Sequence, residues 1–209
     1  MCRKAFTIVE IALVIFVILM VASIFIPLNI TNIEQAERIA KWKNTFEEAK
    51  YSFELLKAQD KKLFELNGNA TSKQVFDKIK PYLNIEENNV SSDYFKNYKY
   101  TFLNGKRVNK LSNYYVDEFT LLKSDIIIGF RLNEGLNNDE SIPYGIMLFD
   151  INGLKKPNKI GVDIFGINIY PNKIKAFGDG HSHSALKVNC SSLGTGVFCS
   201  KYYLIGGKI

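Results

Sequence analysis

The sequence predicts an α+β protein: a long N-terminal α-helix, transmembrane at first and amphipathic afterwards, packed on an antiparallel β-sheet head. Three observations lead there. Between Glu10 and Glu34 lie 23 residues without a charge. Beyond them, apolar residues recur at helical spacing as far as Leu63. From Tyr115 onward that spacing gives way to short β-rich runs separated by Gly, Asn and Pro.

A chain of 209 residues suits one globular domain with an appendage, since domains usually run to about 100–150 residues. Apolar and charged contents of 46% and 23% are ordinary and exclude both a disordered chain and a multi-span membrane protein. Net charge is +6, with 27 Lys and Arg scattered among 21 Asp and Glu. That pattern reads as a solvated mixed surface, and nucleic-acid binding is the weaker expectation.

As a helix, the uncharged run would extend about 35 Å, enough for a bilayer core of about 30 Å. Arg3 and Lys4 precede it, so the tip stays cytoplasmic and the C-terminal portion is sent outward. A cleaved secretory signal fits less well: its apolar core is shorter, and "MVASIFIP" offers a poor cut. A plain signal anchor explains everything except Glu10, because a carboxylate in hydrocarbon costs about 2.5–3.5 kcal/mol.

After Pro27, the residues Ile39, Trp42, Phe46, Ala49, Phe53, Leu56 and Leu63 form one apolar stripe at steps of three, four and seven. Glu34 with Arg38 and Glu37 with Lys41 stand four apart, each acid first, which supports the polar face. Asn67 and Gly68 signal the stop, so the helix is expected from about Phe6 to Leu66. The stripe breaks at Gln59 and Asp60, which favours packing on a sheet over a free coiled coil.

A short helix is expected in "TSKQVFDKIKPYL", opened by a Thr71–Gln74 capping box and closed by Pro81. The Lys-, Asn- and Tyr-rich stretch that follows reads as loop and hairpin, with Asn104-Gly105 at its turn. Five strands are expected, in "YYVDEFTLL", "DIIIGFRL", "YGIMLFDI", "DIFGINIY" and "KIKAFG", the last two joined by a "PN" turn.

Between the third and fourth runs lies "LFDINGLKKPNKIGVDIF". Asp150, Asn152 and Asp163 are oxygen donors among turn-permitting glycines, the chemistry that a hard cation such as calcium takes. Lys155, Lys156 and Lys159 in the same loop oppose a cation, and Asx-type turns holding a strand connection are the favoured reading. His181 and His183 lie two apart with neither a further metal ligand nearby nor a group to orient a hydrolytic triad; a Gly-flanked surface loop is expected. Cys190 and Cys199 bracket a short loop before a final strand, "KYYLI". A disulfide there needs an oxidising compartment, in agreement with export; two free thiols are the alternative.

The stretch "KAFTIVEIALVIFVILMVASIFIP" resembles the class III signal of type IV prepilins and type II secretion pseudopilins: a short basic leader, a small residue, Phe-Thr-hydrophobic-hydrophobic-Glu, then an apolar helix carrying a proline. The resemblance implies cleavage by a membrane prepilin peptidase between Ala5 and Phe6, N-methylation of Phe6, and loss of Cys2, Arg3 and Lys4. The family usually has glycine before the cut, where this chain has the similarly small Ala5. In a filament of staggered helices, Glu10 of one subunit would meet the Phe6 amine of another, and Pro27 would permit a kink. The 150–163 stretch also resembles a head-domain segment of pilin-like proteins, and C-terminal disulfide loops recur among them.

The division that follows is a leader over 1–5, a transmembrane and assembly helix over 6–33, its amphipathic continuation over 34–68, and a pilin-like α+β head over 69–209. The function implied is that of a structural subunit, without catalysis or cofactor, of a type IV pilus or type II secretion-type filament. It would be held in the cytoplasmic membrane by one span, head outside, until assembled. The partners implied are the prepilin peptidase, sibling pilins or pseudopilins, the inner-membrane assembly platform with its motor, and membrane lipid. The alternative is a minor pilin acting mainly as an extracellular binding module for DNA uptake or adhesion.

Overall fold

Helix α1, Ile8–Gln59, is a single run of 52 residues in the computed structural model of the chain. The structure describes residues 7–59, 70–83, 95, 98–133 and 141–208. Two compact units divide it within α1, Met1–Glu37 and Arg38–Ile209.

In the first unit the large apolar side chains from Ile8 to Val21 are exposed; Ile8 stands at 86% and Leu13 at 62%. The helix opens on a reciprocal pair: the Thr7 amide donates to Glu10 Oε2 at 2.8 Å, and the Glu10 amide donates to Thr7 Oγ1 at 3.3 Å. Among the described residues, no helix is long and apolar enough to cross a membrane. The Ala5–Phe6 bond and the Pro27 side chain lie outside the described residues, as does the expected end of the helix between Asp60 and Gly68.

The second unit is built on a five-stranded antiparallel meander in chain order: β1 Glu118–Leu121, β2 Ile127–Leu132, β3 Gly145–Asp150, β4 Ile164–Ile169 and β5 Ile174–Ala176. Both faces of the central strands are covered, which is why their sequences run apolar instead of alternating. On one face Met147, Phe149, Phe165 and Ile167 meet Trp42, Phe53 and Leu56 of α1. On the other, Ile146, Leu148 and Ile164 meet Tyr100, Val116 and Phe177. In register, Phe149 stands opposite Phe165 and Met147 opposite Ile167, so each core face is filled from adjacent strands. From Ile39 to Leu56 the expected apolar stripe is thus the face that α1 lays on the sheet, while Leu63 lies outside the described residues. Lys41 Nζ, expected to pair with Glu37, instead reaches the Ser124 carbonyl oxygen at 3.4 Å.

Helix α2, Ser72–Ile79, opens with the expected capping box of Thr71 and Gln74. Phe76 stacks on Phe130 of β2, with centroids 5.3 Å apart. Pro81 falls in a 3-10 turn, Lys80–Tyr82, that ends the segment. The "PN" hairpin also forms: the Tyr170 amide donates to the Lys173 carbonyl oxygen at 2.8 Å between β4 and β5.

Two expectations in the tail are corrected. His181 lies in an exposed bend beside Gly178 and Gly180, as expected, but His183 does not sit in a surface loop. His183 begins helix α3, His183–Asn189, capped by the Ser182 side chain, which accepts from the Ala185 amide. The "KYYLI" segment is not a strand but most of helix α4, Cys199–Leu204. Its Tyr and Ile favour strands locally, yet Cys199, Tyr202 and Tyr203 must all be buried, and a helix puts positions three and four apart on one face. The Cys190–Cys199 disulfide is formed, with its Cα atoms 5.0 Å apart, and ties the end of α3 to the start of α4.

Candidate functional site

Thr7 and Glu10 form the first candidate site. Thr7 Oγ1 also donates to Glu10 Oε2 at 3.0 Å, so the carboxylate takes both donors of one residue. This is a capping box: a Thr side chain and an acid three residues on satisfy amides that the first turn leaves free. Glu10 therefore has a partner within its own chain. The signal was present in the sequence as Thr7-Ile8-Val9-Glu10 ahead of an apolar run. Reading Glu10 only as a misplaced charge overlooks it.

The second candidate is the loop between β3 and β4. Asp150 ends β3 at 2% exposure, and Asp163 is fully buried just before β4. Two glycines make the loop possible. Gly153 and Gly161 have φ of 67° and 89°, and a Cβ on Gly161 would come within 2.8 Å of Cys199 Sγ. The Tyr98 hydroxyl donates a short hydrogen bond to Asp150 Oδ2, and the Asn152 amide donates to Asp150 Oδ1 at 3.2 Å. Asp163 accepts from the Asn158 amide at 2.8 Å and the Lys159 amide at 2.6 Å. Asn152 Nδ2 reaches the Lys156 carbonyl oxygen at 3.4 Å.

All four carboxylate oxygens thus accept hydrogen bonds from the chain, the arrangement of Asx-type turns. The amide oxygens of Asn152 and Asn158 are buried without a hydrogen bond. Among the described residues, no group of three or more His, Cys, Asp and Glu is placed to hold a metal. Tyr98 and Asn158 belong to this cluster, and sequence reasoning singled out neither. Tyr98 comes from a distant segment that nothing local links to Asp150.

Burial pushes the Asp150 carboxyl up to about 8, against the Tyr98 hydroxyl, with the charge of Asp163 adding to the rise. Burial also pushes Asp163 up, against the Lys159 and Asn158 amides. Tyr98 is raised in turn, by burial first and then by Asp150. A carboxyl whose folded pKa exceeds its unfolded value favours the fold fully below the unfolded value, and that contribution is lost as pH rises through the folded one. The stability of the head is therefore expected to fall as pH climbs from about 4 to about 8. Denaturant midpoints of the native chain and of Asp150→Asn across that range check this. A native midpoint that rises with pH, or a slope unchanged in the variant, would contradict the assignment.

The remaining chemistry-bearing residues of the tail are not brought together. The His181 ring lies on Phe198 at 4.2 Å and the His183 ring against Tyr202 at 5.5 Å, so each imidazole packs on a different aromatic. Comparison of the chain with protein-family models, with curated proteins and with solved structures gives no match.

Proposed function

We propose that the chain is a structural subunit, pilin or pseudopilin, of a type IV pilus or type II secretion-type filament. In this reading a prepilin peptidase cuts between Ala5 and Phe6, and the apolar segment holds the subunit in the cytoplasmic membrane until the platform and motor draw it into a bundle with its siblings. One observation carries the reading: large apolar side chains from Ile8 to Val21 are exposed along one helix whose start holds a single acid, Glu10. Such a surface calls for lipid or other apolar helices. A carboxylate in that setting penalises every register in which it lacks a counter-charge.

The Thr7–Glu10 capping box gives the test its form. If Glu10 serves only its own helix start, Thr7→Ala and Glu10→Ala each cost about 1 kcal/mol and behave alike. If Glu10 also pairs with the trimmed N-terminus of a neighbour, Glu10→Ala is expected to reduce filament incorporation at least tenfold while Thr7→Ala does so mildly. Sheared filament fractions from the native host, probed for each variant, measure this. Intact-mass analysis of the same material reports the cut and the methyl group. A mature chain that retains Met1–Ala5 in a filament-forming host would overturn the proposal.

A further inference from the structure

Charges scattered along the chain are gathered in space on the head. Thr101 forms an antiparallel bridge with Arg107 and a parallel bridge with Lys159, so three segments lie side by side as a small ribbon. Backbone hydrogen bonds hold both edges: the Thr101 amide to the Asn158 carbonyl oxygen at 3.1 Å, the Ile160 amide to the Thr101 carbonyl oxygen at 2.8 Å, and the Phe102 amide to the Lys106 carbonyl oxygen at 2.8 Å.

Side chains alternate across such a ribbon. Tyr98, Tyr100, Phe102, Val108 and Ile160 pack into the second core cluster. Their neighbours Lys99, Thr101, Arg107 and Lys159 must then face outward. Directly bridged residues share a face, so Arg107, Thr101 and Lys159 form a row with Lys99 two residues along. At about 4.8 Å between strands, the row spans about 10 Å. Lys106, Lys155 and Lys156 flank it and are exposed. Among the described residues, none of these six cations has an acidic partner. Asp163 lies beneath Lys159 but is fully buried and turned to backbone amides.

We infer that this face binds a phosphate-backbone polyanion, double-stranded DNA read without regard to sequence. Among the described residues, the aromatic side chains of the ribbon pack against the second core cluster and offer no platform for stacking the bases of a single strand. What remains is a row of cations without an acidic partner among the described residues, which suits a stiff duplex carrying one charge per ~1.7 Å. The inference stands on the head alone and does not depend on the filament reading.

The test is the full-length chain in non-ionic detergent titrated against a short mixed-sequence duplex, with salt varied. Affinity is expected to fall with a log–log salt slope of about −3.6 to −5.4, from about four to six phosphate contacts. The triple variant Lys99→Glu, Arg107→Glu, Lys159→Glu is expected to bind about 30-fold more weakly or worse. A control triple of the same charge change on other exposed lysines, Lys43→Glu, Lys50→Glu and Lys187→Glu, is expected to lose threefold at most. The milder Lys99→Gln, Arg107→Gln, Lys159→Gln set, with an unchanged thermal midpoint, keeps the test valid should the charge reversals perturb folding. Equal losses in the two triples would reduce the effect to net charge and overturn the inference. So would tighter binding to an acidic polysaccharide or to the single strand than to the duplex.

Discussion

Replacing Trp42 with alanine is expected to destabilise the head by about 3–5 kcal/mol, the range for deleting a fully buried aromatic. Trp42 is 0% exposed and holds three elements at once. From α1 its ring stacks on Phe165 of β4 at 5.0 Å and tilts against Phe149 of β3 at 6.0 Å. Its Nε1–H donates to the Ser200 carbonyl oxygen of α4 at 2.9 Å, while Ser200 Oγ accepts from the Gly166 amide at 2.9 Å. Alanine would leave a ring-sized void and remove the side-chain hydrogen bond to the Ser200 carbonyl oxygen. Trp42→Phe keeps most of the stacking and loses only the hydrogen bond, so a smaller cost of about 1–3 kcal/mol is expected. Circular dichroism in denaturant separates the two variants, because Trp42 is the single tryptophan and its fluorescence disappears with it. A cost below about 1 kcal/mol for the alanine variant would mean that this part of α1 is not held by the sheet.

Replacing Asp163 with alanine is expected to cost about 2–5 kcal/mol, because two part-buried amides, those of Asn158 and Lys159, would lose their acceptor together. Asn158 has φ of 48°, a conformation that needs support from its surroundings. Hydrogen exchange at these two amides should accelerate strongly in Asp163→Ala and less in Asp163→Asn, which keeps one acceptor oxygen. Duplex binding should weaken along with it, since Lys159 would lose its place beside Thr101. Unchanged exchange at both amides would show that the turn is held by the ribbon bridge alone.

Legibility in the sequence tracked the distance between the residues involved. The Thr71–Gln74 capping box and the "PN" hairpin were readable because every group they need lies within a few positions. The five strands were readable as apolar runs between turn residues. Thr7–Glu10 is equally local, although the cost of burying its charge is the more conspicuous feature of the sequence. The segment after Cys199 reads locally as a strand, since Tyr and Ile favour strands, while burial of Tyr202 and Tyr203 decides for a helix. Tyr98 on Asp150 could not be read at all.

By itself the sequence determined the α+β class, the positions of the five strands and the face that α1 turns to the sheet, because periodicity and turn chemistry act over a few residues. Only the tertiary structure decided that Tyr98 closes on Asp150, that "KYYLI" coils, and that cations from two remote segments stand in one row. Those outcomes depend on which distant segments become neighbours, and local spacing carries no record of that.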